Sequence, residues 1–514
     1  MAVIILTAIA ASAIYAFIFF RFFYKRRLPA EIPGPKGLPF FGVAFEINPE
    51  NFSQKLESWA WGYGPMYKIK LFGQETLIIS DMEVVQYILK NRPQKYTRGD
   101  KVPQVFEGLH TMGVFSNEGS EWKDARQLVT PSFAPNRLAS MNNIFAKHIC
   151  ALKHEFSDFT KNANEIVDQF LIKKADFNEK RLHDPCPLFQ NAALKIIIES
   201  AFAYGQEDLL PPSLLNEMGL VFKVTGDRLF GGFPLWMFYK TKEDRKVEKI
   251  IKRIYSIIDV VIKSYVEKKG DKNVLNRTLM ESLLQTQREA NFDSKVPKMT
   301  IEQMKGNIMQ VMIAGYETTS STLMWILYFL IKYPEVQRKI QEEADLVLGD
   351  RSSLTEEKIS DLKQEEFPYI TNVIKETMRL KSVAPFFQAS NIEDEVLHGH
   401  HIPAGTDIAL LTRVASLRAC PTENAFEFNP ERWNIDDEDI HKKQMNSFMG
   451  FGGGTRICPG RHLAMLELTL MIAVVISDYD IKPFPLPPSY PPTTELTHFT
   501  TIAKDFYVLP KRRE

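Results

Sequence analysis

The chain has 514 residues, and its 63 Lys and Arg balance its 63 Asp and Glu. A net charge near zero gives no support for a nucleic-acid partner, which ordinarily shows a basic excess. Hydrophobic residues make up 45%, enough for a substantial core. Cys150, Cys186, Cys420 and Cys458 lie far apart, with neither zinc-type spacing nor the density of a disulfide framework. A reducing compartment is the simpler setting, and it leaves each thiol free.

Residues 2–20 carry no charge and are almost all apolar. As a helix they would cover roughly 30 Å, the hydrocarbon thickness of a bilayer. Arg21, Lys25, Arg26 and Arg27 follow at once, and such charges tend to stay cytoplasmic. A cleavable signal peptide has the reverse order, with charges before the apolar run. The segment 1–28 therefore reads as an uncleaved single-pass anchor with a basic flank. Residues 29–42 form a proline-rich linker, stiff because proline fixes φ and removes a donor. Residues 43–514 form one catalytic domain on the cytosolic side, at the endoplasmic reticulum in a eukaryotic cell.

Along that domain, residues 67–80 alternate and predict a hairpin turning at Phe72, and 84–91 predicts a helix. Trp122 and Arg126 lie one helical turn apart, so an indole N–H and a guanidinium can reach the same anionic oxygens. Helical periodicity dominates residues 140–266. A long, mostly apolar helix is predicted over 298–333, stopped by Pro334. It is interrupted by the stretch Ala314, Gly315, Tyr316, Glu317, Thr318 and Thr319, whose glycine and threonines are poor choices for a helix interior. A charged helix over 335–348 and another over 368–380 follow. The latter places Glu376 and Arg379 on one face, where they can pair. Residues 397–410 read as short strands and a turn. The fold class is mainly α with a small β portion.

The most informative stretch runs from Phe451 to Gly460. It sets Cys458 in a glycine-rich loop just before a helix-like run, 461–476. Loop N–H groups, a helix N-terminus and a nearby cation all favour a thiolate. Gly452, Gly453, Gly454 and Gly460 permit tight curvature and close approach of a flat ligand. Arg456 can reach an anionic group at that ligand's edge. The chemical reading is a single-thiolate haem site, with Cys458 on the iron.

Phe451, Gly454, Arg456, Cys458 and Gly460 together resemble the cysteine-ligand loop of the cytochromes P-450, and Ala464 and Glu467 continue the pattern. The likeness spans roughly residues 30–510 and implies the whole cytochrome P-450 fold, of the microsomal type. It implies haem b contacted by Phe451 and Gly452, with Trp122, Arg126 and Arg456 on its propionates and Arg98 a weaker candidate. It implies a buried network of Glu376, Arg379 and Arg432, structural rather than chemical. Thr318 would hydrogen-bond bound dioxygen and Glu317 would relay protons, making these two the catalytic residues. One departure stands out: many members carry a further propionate-binding arginine after the Glu-x-x-Arg helix, and the stretch 385–391 here has none.

The resemblance also implies substrate-facing segments at 102–115, 201–238, 309–318, 383–387 and 499–502, which suit an apolar molecule of the lipid, sterol or terpenoid class. The apolar run 229–238 either dips into the membrane surface or packs inside. No flavin or iron–sulfur domain is present, so electrons come from another protein. NADPH–cytochrome P-450 reductase is the expected donor, with cytochrome b5 as an optional second. Lys123, Lys442, Lys443 and Arg461 are candidates for its docking face. Two rival readings are an isomerase or dehydratase of the same fold that works without O2, and a non-catalytic haem sensor or carrier. The Glu317–Thr318 pair speaks against both.

Overall fold

The computed structural model describes residues 27–48, 51–171, 184–202, 213–230, 235–267, 279, 299–486, 493–497 and 500–513. The apolar run expected to anchor the chain lies outside the described residues. Among the described residues, no helix is long and apolar enough to cross a membrane.

The hairpin appears as β1 (Met66–Leu71) and β2 (Gln74–Ile79). Its two-residue turn has Phe72 at φ 48° and Gly73 at φ 81°, the left-handed pair that matches strand twist. These strands belong to a five-stranded sheet in the order β1-β2-β7-β4-β3, with β3 at Tyr96–Thr97, β4 at Phe387–Asn391 and β7 at Asp407–Leu410. Between β4 and β7 lies the small hairpin β5 (Glu395–Leu397) and β6 (His400–Ile402). Only β2 and β7 run parallel; the other pairs are antiparallel.

The rest is mostly helical. In chain order come α1 (Phe52–Tyr63), α2 (Met82–Lys90), α3 (Lys101–Gly108), α4 (Gly119–Val129), α5 (Asn142–Leu171), α6 (Cys186–Phe202), α7 (Leu214–Phe230) and α8 (Lys242–Glu267). Then follow α9 (Ile301–Lys332), α10 (Pro334–Leu348), α11 (Pro368–Leu380), α12 (Thr412–Arg418), α13 (Glu438–Ser447) and α14 (Arg461–Leu470). Two strand pairs close the chain: β8 (Tyr479–Pro483) with β11 (Val508–Arg512), and β9 (Thr494–Thr497) with β10 (Thr501–Lys504).

Helix α9 organises the core. Its start is a capping box: the Gln303 N–H donates to the Thr300 hydroxyl at 3.2 Å, and the Gln303 side chain accepts from the Thr300 N–H at 2.9 Å. It ends where Pro334 opens α10. It lies along α6 and also touches α11, α14 and β10. Glycine in its interior has a packing reason. A Cβ at Gly306 would sit 1.9 Å from the Met112 carbonyl oxygen, and one at Gly315 would sit 2.9 Å from Ile197 of α6. The expected helix over 461–476 is α only to Leu470. Residues Met471–Val475 widen into a π turn and Ile476–Asp478 tighten into 3-10. All of them are buried, so tertiary packing holds the widened turn in place.

Two buried charge networks brace this scaffold. Glu376 is fully enclosed, and four groups converge on its carboxylate. Arg379 donates Nε and Nη2 at 2.9 and 2.8 Å, Arg432 donates Nε at 2.7 Å, Trp433 donates Nε1 at 3.1 Å, and the Asn429 N–H lies at 3.0 Å. The outer guanidinium N–H groups go to backbone carbonyls of Ala425, Asn424 and Glu427. The structure thus brings together the three residues expected from the sequence. The second network was not foreseen. Arg413 of α12 donates to Glu57 at 2.5 Å and to Glu495 at 2.7 Å, and Lys381 donates to Glu495 at 2.8 Å. It ties α1 and the end of α11 to β9.

Removing one partner of a buried, hydrogen-bonded ion pair costs about 3–5 kcal/mol, because the other charge is stranded. Glu376→Ala strands two guanidiniums at once. We expect it to lower the unfolding free energy measured by urea titration by that amount or to prevent accumulation of folded protein; an unchanged midpoint would contradict the bracing role.

Candidate functional site

The loop before α14 is shaped by its own backbone. The Cys458 N–H donates to the Phe451 carbonyl at 3.0 Å, the Gly452 N–H to Met449 at 2.9 Å, and the Ile457 N–H to Gly454 at 3.3 Å. Gly452 and Gly454 have φ of 71° and 63°, a region that excludes most side chains. A Cβ at Gly454 would also collide with the Leu89 carbonyl oxygen at 2.1 Å. The loop is therefore clamped against the end of α2, and Thr455 adds a 2.8 Å hydrogen bond to the Arg92 carbonyl.

Cys458 sits where α14 begins, with Gly460 as the N-cap. Burial pushes its thiol upward, opposed by the Gly460 N–H and by the charges of Arg126 and Arg461. The thiol is crowded by protein yet keeps accessible surface, as does the whole stretch 451–461. An interior loop with accessible surface faces a cavity. Helix α9 shows the matching sign. Ala314 is exposed and Ile313, Glu317 and Thr318 are half-buried, in the middle of a helix otherwise largely enclosed.

On α9, the Thr318 hydroxyl donates to the Ala314 carbonyl at 2.7 Å. Glu317 turns away from it toward α6. It accepts from Gln190 Nε2 at 3.0 Å and from the Thr500 hydroxyl, and burial raises its pKa to about 6. The two residues that are neighbours in sequence are thus directed to different surroundings. Glu317 joins α9 to the loop before β10.

Around the loop lies a cluster of guanidiniums. Arg456 donates Nη2 to Glu118 at 2.6 Å and to the Asn117 carbonyl at 3.0 Å, and its guanidinium stacks 4.3 Å over the Trp122 ring. Arg126 donates to the Ile457 carbonyl at 2.6 Å, beside the thiol. So Trp122 and Arg126, expected to share one anion, engage Arg456 and the cysteine loop respectively. Arg98 and Arg92 complete the cluster. Burial, then the charges of Arg456 and Arg92, hold Arg98 well below the usual arginine range. Arg92 is lowered to about 10 by burial and by Arg456. Arg92 Nε, Arg98 Nε and both Nε and Nη1 of Arg456 are buried without a hydrogen-bond acceptor. Buried donors left open beside excess positive charge call for an anion.

A haem requires a metal ligand, room for a flat ring and partners for two carboxylates. The thiol of Cys458, the close-approach glycines and this arginine cluster fit all three. Apolar walls are present as well. Val102, Val105 and Phe106 are buried on α3, Phe106 packs 5.4 Å from Phe115, and Val383 is buried beyond α11. In the run 229–238, residues 231–234 lie outside the described residues, as does Phe499. Trp236 is turned inward, under the Arg228 guanidinium at 4.7 Å and against Gly108. Phe238 and Tyr239 are exposed.

Sequence reasoning noted Glu467 only as a continuation of the loop pattern. It is fully buried on α14, with Oε2 3.4 Å from the Thr319 hydroxyl and Oε1 without a partner. Burial, barely offset by Thr319, raises its pKa to about 8. Nothing in the spacing distinguishes such a carboxyl from a surface one.

The family model described as Cytochrome P-450 matches residues 32–510. Among similar curated proteins is Protein LUTEIN DEFICIENT 5, chloroplastic, of Arabidopsis thaliana, 27% identical over 461 residues, which cover 85% of this chain and 71% of that protein. Cytochrome P-450 2C39 of Mus musculus is 26% identical over 463 residues, 88% of each chain. Cytochrome P-450 71A9 of Glycine max is 26% identical over 471 residues, 89% of this chain and 87% of that protein.

Glu467 gives a pH dependence with a defined sign. Its folded pKa of about 8 lies above the unfolded value near 4.3. Between those two values the folded state holds the proton and the unfolded state has lost it. Stability therefore falls as pH rises through that window. The thermal midpoint should drop from pH 5.5 to pH 8, and Glu467→Gln, which cannot ionise, should drop several degrees less. Parallel curves for the two proteins would show that Glu467 does not titrate in this window.

Proposed function

The chain belongs to the cytochrome P-450 family of haem-dependent monooxygenases, and from that premise we propose that it inserts one oxygen atom of O2 into an apolar small molecule with electrons from NADPH, delivered by a separate reductase. The observation that carries this reading is the thiol of Cys458. It is held by a clamped glycine loop at the start of α14, a helix that packs on α9, and both the loop and Ile313, Ala314, Glu317 and Thr318 of α9 keep accessible surface.

In this reading Cys458 would hold the haem iron, its thiolate favoured by the Gly460 N–H, Arg126 and Arg461. When bound, the haem supplies the iron at which dioxygen is activated, with thiolate donation favouring O–O cleavage. Phe451 and Gly452 would lie against the ring, and Arg98, Arg456 and Trp122 would hold the propionates. Thr318 takes the position beside Ala314 where accessible surface opens. Its hydroxyl now bonds the preceding turn, and rotating it would aim a donor into the site. Glu317, with a pKa of about 6, can hold or give up a proton near neutrality, as a proton carrier must. The apolar walls keep bulk water from that proton path.

The apolar lining favours a lipid, sterol or terpenoid substrate. Electrons enter from outside, because the matched length holds no flavin or iron–sulfur domain. Lys123, Lys442 and Lys443 are exposed and form the docking face for the reductase, cytochrome b5 being a second donor. The apolar run 2–20 anchors the chain at the endoplasmic reticulum, and exposed Phe238 and Tyr239 add a peripheral contact with lipid.

Two substitutions test the site. Cys458→Ser should abolish the thiolate-type spectrum of the reduced, carbon-monoxide-bound protein; its persistence would place the iron elsewhere. Thr318→Ala should keep haem uptake and apolar-ligand binding. Product per NADPH consumed should fall roughly tenfold or more as oxygen leaves as hydrogen peroxide, since a preorganised donor is worth that much in a dry site. Wild-type protein that consumes no NADPH with any bound substrate, yet converts a hydroperoxide, would point instead to an isomerase.

A further inference from the structure

The sequence leaves one cation missing. The stretch that becomes β4 and the turn before it, residues 385–391, carries no arginine or lysine. On the face of β4 toward the cysteine loop, Phe387 reaches within 3.3 Å of where a Gly452 Cβ would lie. Ala389, on the same face, is buried in the apolar cluster that contains Leu89. That face offers the bound ring contact but no charge.

Arg92 occupies the neighbouring space. It follows the end of α2 and is 2% exposed. Its Nη2 donates to the Gln388 carbonyl of β4, and its own carbonyl accepts from Thr455. It therefore bridges β4 and the cysteine loop. Its Nε has no acceptor. Arg456 acts on it with like charge, and so does Arg98 next to it; Glu118 is the carboxylate that opposes all three. With Arg126, which also acts on Arg456, four guanidiniums stand around this one carboxylate, so positive charge is in excess here among the described residues.

A backbone clip does not explain this. One N–H to the Gln388 carbonyl could be given by a neutral glutamine or by an exposed lysine. Burying a guanidinium beside two others is strongly unfavourable unless an anion joins them. That excess calls for anions, and a porphyrin with two propionates supplies them.

We propose that Arg92 is a propionate-binding residue of this chain, supplying from the end of α2 the cation that β4 lacks. The proposal rests on the haem reading given above. It assigns Arg92 a positioning and electrostatic role toward the cofactor, with no part in proton delivery.

The test uses the holoenzyme and two readouts besides turnover: the rate of haem transfer to excess apomyoglobin, and the reduction midpoint potential. A hydrogen bond to a charged group contributes about 1.5–3 kcal/mol, and 1.4 kcal/mol is tenfold. Arg92→Gln should therefore release haem roughly 10- to 100-fold faster and shift the midpoint potential negative, with the thiolate-type carbon-monoxide spectrum retained. Arg92→Lys keeps the charge and should keep the wild-type potential. Wild-type release rate and potential in Arg92→Gln would overturn the proposal. So would a lysine variant whose potential matches the glutamine variant, because charge would then not be the cause. If Arg92→Gln alone does not accumulate, the pair Arg92→Gln with Ala389→Arg decides. Restored haem-loaded protein supports the assignment, and no restoration overturns it. Wild-type protein without a thiolate-type spectrum would overturn the haem reading and this inference together; a normal wild-type spectrum with unaffected Arg92 variants overturns this inference alone.

Discussion

A charge taken out of water must find its counter-charge inside the protein, and this fold is arranged around where that happens and where it does not. At Glu376 the account is closed: four donors reach its carboxylate, and the guanidinium groups left over are capped by backbone carbonyls. At Arg413 the charge is matched by Glu57 and Glu495, although one N–H stays without an acceptor. Both networks join elements distant in sequence through buried arginines, so they brace. At Arg92, Arg98 and Arg456 the account stays open, with excess positive charge and orphaned N–H groups. The contrast separates scaffold from site without appeal to any ligand.

Helix α9 connects these regions, and its composition follows from what it must do. Thr318, Thr319, Ser320 and Thr322 each donate to the carbonyl one turn back. Such bonds compete with the helix ladder and weaken it locally. Gly315 brings α6 close, while Ala314 leaves open surface on another side. The long apolar runs before and after this stretch are buried and supply the cohesion that it lacks. A softened segment between two rigid ones is a reasonable place for polar side chains that must turn toward a ligand.

Much of this was legible in the chain because local chemistry demanded it. Pro334 ends one helix and starts another, and Phe72-Gly73 makes a two-residue hairpin turn. The glycines around Cys458 are required by positive φ and by the Leu89 carbonyl. The Glu-x-x-Arg spacing alone is ambiguous, and it became informative only with Arg432 and the family pattern. What stayed hidden depends on long-range contacts. Glu495 meets Arg413 across 82 residues of sequence. Arg92 carries no local signal in the sequence, and its burial and its approach to Gln388 emerge only in the fold. Neighbouring Glu317 and Thr318 were read as one acid–alcohol pair. A helix rotates successive side chains by about 100°, which is why one points to Gln190 and the other bonds back along α9.

That divergence bears on how protons could reach the interior. Two buried carboxyls flank α9 from opposite sides. Glu467, on α14, faces α9 and hydrogen-bonds Thr319, and with its pKa raised to about 8 it favours the protonated form at neutral pH. Its burial in the core gives that proton no route out. Glu317, with a pKa of about 6, is held by Gln190 and Thr500, polar groups at the margin between α6 and the loop before β10. It exchanges protons within the neutral range and retains some accessible surface. Burial raises both carboxyls; two polar partners restrain Glu317 and one restrains Glu467. That difference in partners sets the two carboxyls apart, and the proposed proton role of Glu317 rests on it.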